Sequence, residues 1–179
     1  SKLDDVINDC DMFLGLSGPG VLTSKMVLKM NKQPIIFALA NPDPEINPAD
    51  ALKVAPDALI ATGRSDYPNQ VNNVLCFPFI FRGALDVGAT QINDEMKLAC
   101  IHAIANLARQ TSTAETVEAY QGEILKFGKE YLIPKPFDPR LLPNVAVAVA
   151  EAAMKSGVAC RPLKAVSYTH LRAHETARH

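Results

Sequence analysis

The sequence predicts an α/β fold: a doubly wound parallel sheet followed by C-terminal helices. Three observations carry that expectation. Short continuous apolar runs recur, DMFLGL at 11–16, PIIFALA at 34–40 and ALIA at 58–61. Runs of that length without polar alternation read as strands buried on both faces. Segments with helical spacing lie between them, and such alternation argues for right-handed crossovers onto one parallel sheet. Each run also ends in turn chemistry: Ser17-Gly18-Pro19-Gly20, Asn41-Pro42 and Thr62-Gly63-Arg64-Ser65.

The elements follow in order. The opening SKLDDVINDCD is acidic and polar, has no Met, and reads as the end of a helix. That suggests a piece of a longer chain whose upstream part is missing. Residues 24–30 have helical spacing, with Met26, Val27 and Met30 on one side. Pro48 sits near the first turn of a short helix reaching Val54. Residues 71–87 read as helical, kinked or divided by Pro78. Asn93 is an N-cap for a helix to about Ala108, with Ile101, Ile104, Leu107 and Ala108 as its apolar stripe. His102 lies beside that stripe and reads as a partly buried structural histidine rather than a catalytic one. Residues 113–131 are less regular. Residues 140–155 are Ala-rich and read as a helix stopped at Gly157, although the alternation in NVAVAVA admits a strand.

Composition excludes several classes. The 179 residues are 48% hydrophobic and 21% charged, with a net charge of −1. Nothing in that balance argues for nucleic acid or membrane binding. No apolar run approaches the roughly 20 residues of a membrane span. Cys10, Cys76, Cys100 and Cys160 are far apart and form no C-x-x-C pair, so a zinc site is not expected. Cys76 and Cys100 read as small buried hydrophobes, and free thiols suggest the cytoplasm. The last residues, VSYTHLRAHETARH, lack apolar periodicity and read as a non-native, disordered tail over 164–179. His170 and His174 stand at i,i+4 there, but His179 falls one position too late for H-E-x-x-H.

The stretch GRSDYPNQVNNV at 63–74 concentrates amides beside an apolar run, VLCFPFIF. Ligands of parallel sheets bind outside the carboxyl ends of the strands. The three turns should therefore converge on one crevice, presenting Asn41, Asn72 and Asn73. A carboxamide donates and accepts without charge, so it can orient a carboxylate, a hydroxyl or a nicotinamide amide. Asn72 and Asn73 at a helix start would add free N–H groups that favour an anion. Taken singly, Asn41 as strand terminator and Asn73 as helix cap are the simpler readings; together, the three favour a binding role. Ser17-Gly18-Pro19-Gly20 permits close backbone approach but equally suits a plain turn, and no G-x-G-x-x-G occurs. Arg64 and Asp66 could pair or meet a ligand, and Glu45 is undecided. The apolar run is a core segment or, if partly exposed, a subunit contact.

PIIFALANPDPE, DALIATGRSDYPNQVNNVLCFPFIFRGALDVGA and INDEMKLACIHAIANLA closely resemble the bacterial NADP-dependent malic enzymes over residues 1–163. The resemblance implies a Rossmann-like NAD(P)-binding domain, incomplete at its N-terminus. It implies oxidative decarboxylation of malate to pyruvate and CO2 with reduction of NADP+ or NAD+. It implies Asn41 and Asn73 as contacts to substrate or nicotinamide, Asn72 as their neighbour, and Gly15, Leu16, Ser17 and Gly18 along the cofactor. The family's Mg2+ or Mn2+ ligands, catalytic Tyr and Lys, and Gly-rich phosphate loop belong upstream, so the chain alone is expected to be inactive. A cytoplasmic homo-oligomer of full-length chains is implied. Another dehydrogenase of a hydroxy or amino acid, and a non-catalytic nucleotide-binding or interaction module, remain as alternatives.

Overall fold

The structure, a computed structural model, describes residues 2–123 and 125–162. The expected tail over 164–179, with His170 and His174, lies outside the described residues. The chain forms two compact units, residues 2–72 with 128–133, and residues 73–127 with 134–162.

The first unit holds α1 (Leu3–Val6), β1 (Met12–Gly15), α2 (Ser24–Val27), β2 (Ile35–Ala38), α3 (Pro48–Val54) and β3 (Leu59–Thr62). The strands are parallel in the order β1-β2-β3, with Gly15 beside Ala38 and Ala38 beside Thr62. The three apolar runs thus become the three strands, and Pro48 opens α3 behind an Asn47 side-chain cap. Phe13, Ile36 and Ile60 bury one face of the sheet in a cluster with Val27, Met30 and Ala51 from the α2 and α3 segments. The expectation of strands buried on both faces fails at β1. Met12 and Leu14 are exposed while Phe13 and Gly15 are buried. Successive side chains of a strand point to opposite faces, and only one face of β1 carries a packed layer among the described residues.

Residues 128–133 complete this unit through Asn69. Its buried amide donates to the Ile60 carbonyl (2.9 Å) and the Lys129 carbonyl (2.8 Å) and accepts from the Leu132 N–H (2.7 Å). Asn69 adopts φ +57°, a left-handed conformation that Asn tolerates better than most residues.

The second unit holds a 3-10 turn (Asn73–Leu75), α4 (Phe77–Asp86), α5 (Asp94–Arg109), α6 (Ala114–Ala119) and α7 (Leu141–Lys155). The 71–87 segment is therefore not one kinked helix. Pro78 lies in the first turn of α4, where its missing N–H has no intrahelical acceptor to lose. Asn93 caps α5 as expected, accepting from the Met96 N–H at 3.1 Å. Its buried side is Met96, Cys100, Leu107 and Ala108. Ile101 is 59% exposed, and His102 is exposed rather than partly buried. Of the expected stripe, Leu107 and Ala108 are buried and Ile104 is half-buried; only Ile101 turns outward, because Met96 and Cys100 set the inward face of the first turns. The alternation at 144–150 resolves as α7, whose Leu141, Val145, Val149 and Ala153 fall on a buried helical stripe. Gly157 ends it at φ +75°.

α4 and α5 both pack on α7. Gly83 permits the α4 approach: a Cβ there would stand 2.4 Å from the Ala146 carbonyl oxygen and 2.9 Å from Val149 Cβ. The apolar run before and within α4 is only half core. Leu75 and Ile80 are buried, but Phe77 and Phe81 are 55% and 46% exposed, with ring centroids 5.8 Å apart. Asp138 and Arg140 form a buried bidentate pair, with 2.9 Å and 2.7 Å contacts.

Cys100 is buried and Cys76 half-buried, and their sulfurs are 3.4 Å apart as free thiols. Burial, followed by the contact with Cys76, pushes the Cys100 thiol up to about 12. At neutral pH it is a thiol rather than a nucleophilic thiolate. Among the described residues no helix is long and apolar enough to cross a membrane.

Candidate functional site

The site begins with the chain direction. Three parallel strands place Ser17, Asn41 and Gly63 just beyond their carboxyl ends, at one edge of the first unit. The expected convergence of the three turns is present. The Ser17 N–H donates to Glu45 Oε1 at 2.9 Å, and the Ala40 N–H donates to Glu45 Oε2 at 3.0 Å. One carboxylate thus ties the loop after β1 to the loop after β2. The loop after β3 lies against the same place. A Cβ on Gly63 would stand 3.6 Å from the Leu39 carbonyl oxygen and 4.0 Å from Asn41 Nδ2.

Asn41 is exposed, and its side chain makes no hydrogen bond among the described residues. A cis peptide joins it to Pro42. Gly15 is buried at the end of β1, while Leu16 and Ser17 are exposed. A Cβ on Gly18 or Gly20 would meet nothing within 4 Å, and Gly20 has φ +73°. The loop is open enough for a flat ligand to lie along its backbone.

The amide cluster separates into different roles. Asn69 is structural, as its three main-chain bonds show. Gln70 donates to the Gly63 carbonyl at 3.3 Å and helps shape the same loop. Asn72 is the exposed last residue of this stretch of the first unit. Asn73 is exposed at the head of the 3-10 turn in the second unit. The helix-start argument for these two is corrected, because α4 begins at Phe77 with Cys76 as its N-cap. A single 3-10 turn of three residues sums few peptide dipoles, so it adds little attraction for an anion.

Arg64 and Asp66 resolve as a pair: Nε donates to Oδ1 at 2.8 Å and Nη2 to Oδ2 at 2.7 Å. Asp43 lies 3.7 Å from the guanidinium, and Tyr67 stacks beneath it at 5.4 Å. The Arg64 hydrogen bond holds the Asp66 carboxyl below the usual carboxylate range, and Asp66 raises the Arg64 guanidinium in turn. A carboxyl lowered on folding stabilises above its unfolded value, and that contribution fades as pH falls through its folded value. Both groups are solvent-facing, so the effect on stability is small. In Arg64→Ala the Asp66 side-chain NMR titration should move back up to the ordinary carboxylate range. An unmoved titration would dissolve the pair.

A separate cavity of about 90 Å3 in this unit is lined by Pro48, Leu52, Tyr67, Asn69 and Lys129 among others. Neither Asn41 nor the 15–18 loop lines it, so it is not the crevice. Among the described residues no three His, Cys, Asp or Glu side chains gather as metal ligands. The residue that sequence reasoning left undecided is Glu45, which proves to be fully buried. Its signal was an acid set between Pro44 and the buried Ile46, in the loop after β2.

Comparison with known proteins bears on the family and the fold. Residues 1–120 match the model of the malic enzyme NAD-binding domain. The NADP-dependent malic enzyme of Escherichia coli (strain K12) is 66% identical over 161 residues, which cover 90% of this chain and 21% of that protein. The NAD-dependent malic enzyme of Rhizobium meliloti (strain 1021) is 57% identical over 162 residues, again 90% of this chain and 21% of the relative. The crystal structure of malic enzyme from Pyrococcus horikoshii Ot3 superposes with a TM-score of 0.79 at 40% identity. That match covers 97% of this chain and 36% of the other. The chain therefore spans about a fifth of the length of the E. coli and R. meliloti relatives.

Proposed function

We propose, for a chain that belongs to the malic enzyme family through its NAD-binding domain, that it forms the crevice side of an enzyme converting malate to pyruvate and CO2. The observation that carries the proposal is the Asn41 carboxamide. It stands at the carboxyl end of the central strand, solvent-facing and without an internal hydrogen bond among the described residues.

The open backbone at Gly18 and Gly20 suits a nicotinamide dinucleotide, with Gly15, Leu16, Ser17 and Gly18 along it. When bound, that cofactor supplies the hydride acceptor. NADP is favoured over NAD by the E. coli relative, although the R. meliloti relative is named for NAD. In our reading Asn41 and Asn73 hold a malate carboxylate or hydroxyl, or the nicotinamide amide, by donating and accepting without forming an ion pair. Asn72 adjoins them. This orients the C2–H toward the cofactor, and orientation alone supplies much of such a rate. Proton transfer and the Mg2+ or Mn2+ ligands are assigned, in this reading, to other residues of a whole enzyme. The whole enzyme would work in the cytoplasm as a homo-oligomer.

The test places the matched 161 residues of this chain into the E. coli relative in place of its own segment. Malate-dependent reduction of NADP+ and NAD+ is followed with and without Mn2+. Asn73→Ala is expected to lower kcat/KM for malate roughly 10- to 100-fold, the cost of an unpaired polar group in the complex. Turnover undiminished in Asn73→Ala would return that residue to a turn-forming role. NADPH binding without any malate turnover, in a folded chimera, would favour the non-catalytic module.

A further inference from the structure

We infer that Glu45 is a positioning residue of the crevice, whose carboxylate sets the separation between the 15–18 loop and Asn41. The inference rests on the function proposed above. Glu45 is fully buried, and no salt bridge reaches it among the described residues. Its two oxygens are divided between the loops, Oε1 taking the Ser17 N–H and Oε2 the Ala40 N–H. Its own backbone is fixed as well, the Leu22 N–H donating to the Glu45 carbonyl at 3.1 Å. Gly15 makes the room: a Cβ there would stand 2.4 Å from Glu45 Cδ and 2.6 Å from Oε1.

Burying a carboxylate without a cation is costly, and an apolar side chain would fill the same space at less cost. What an apolar residue cannot do is accept two N–H donors from different loops at a fixed spacing. Ser17 belongs to the loop along which we place the cofactor. Ala40 directly precedes Asn41, which we place on the substrate or the nicotinamide. The Glu45 carboxylate therefore acts as a rigid spacer between the two partners of hydride transfer, touching neither.

The chemistry of the spacer fixes the test. Gln keeps the shape but has one acceptor oxygen, so its NH2 would confront one of the two N–H groups. Asp is one methylene shorter and cannot reach both loops. Gly15→Ala retains the carboxylate but forces it to move, and serves as a steric comparison because Gly15 also lies along the proposed cofactor path. In the chimeric enzyme, Glu45→Gln, Glu45→Asp and Gly15→Ala are compared with the unmutated form for kcat and KM on malate. NADPH dissociation by fluorescence and the urea midpoint are measured on the same samples. A misplacement of about 1 Å costs on the order of 100-fold in rate. We expect kcat to fall at least 10-fold in each variant under conditions where the protein is fully folded, with KM for malate changed less and NADPH held several-fold more weakly.

A merely structural Glu45 would lower the urea midpoint and leave kcat and NADPH affinity of the folded variants unchanged, which would overturn the inference. Should Glu45→Gln fail to fold, Glu45→Asp carries the same kinetic expectation with the charge retained. An unmutated chimera that never oxidises malate fails at an earlier point: it sinks the malic enzyme reading, and this inference with it.

Discussion

Replacing Asn69 by Ala is expected to destabilise the protein by about 3–5 kcal/mol. Three main-chain groups lose their partner at once: the Ile60 and Lys129 carbonyls and the Leu132 N–H. Each buried polar group left unsatisfied costs roughly 1–3 kcal/mol, with some relief where water enters. Ala at φ +57° adds roughly 1 kcal/mol of backbone strain. The check is the urea midpoint at constant m-value. Asn69→Gly keeps the backbone conformation and should be about 1 kcal/mol milder. Asn69→Asp should be no better than Ala, because a carboxylate would face two carbonyl oxygens and cannot donate to either. A midpoint within error of the parent in the Ala variant would refute the assigned role.

The second large effect is Gly83→Ala. On helix propensity alone the change should stabilise α4 by about 1 kcal/mol. Packing reverses the sign. The new methyl would sit 2.4 Å from the Ala146 carbonyl oxygen and within 3.0 Å of two Val149 side-chain atoms. Helices in contact must then separate or shift, and overpacking of this kind costs typically 1–3 kcal/mol, occasionally more. A net loss of about 2 kcal/mol is expected, read as a lower thermal midpoint. Adding Val149→Ala should recover only part of it, because the backbone oxygen of Ala146 remains. A raised midpoint in the single variant would mean that the α4–α7 approach is looser than described.

The three strands, α3 with its proline, the Asn93 cap and α7 were legible in the sequence because each is written locally. Apolar runs, a first-turn proline and a capping amide act over a few residues. The convergence of the three turns followed from parallel topology. The misreadings share a different origin. Whether β1 is covered on both faces depends on what packs over it, not on its own residues. Which side of α5 faces inward is decided by α7, so Ile101 and His102 turn outward against expectation. Of the two expected effects of Pro78, kinking or dividing the 71–87 segment, division is found, with Pro78 in the first turn of α4. Glu45 was undecided because its partners, Ser17 and Ala40, are joined to it only by the fold. Likewise, the amides at 69–73 read as one cluster in sequence, but Asn69 is buried on main-chain groups while Asn72 and Asn73 are exposed.

The bonds of Asn69 also bear on the order in which the molecule comes together. Its partners Lys129 and Leu132 follow it by 60 and 63 residues. The three strands precede α4, α5 and α6 in the chain, so on a ribosome the unit they belong to lacks residues 128–133 until those helices have been synthesised. Closing so long a loop carries an entropic cost that only the completed contacts offset. The nascent sheet therefore waits for the partners of Asn69 while the intervening helices are made, and such a delay lengthens the interval in which a growing chain is open to aggregation.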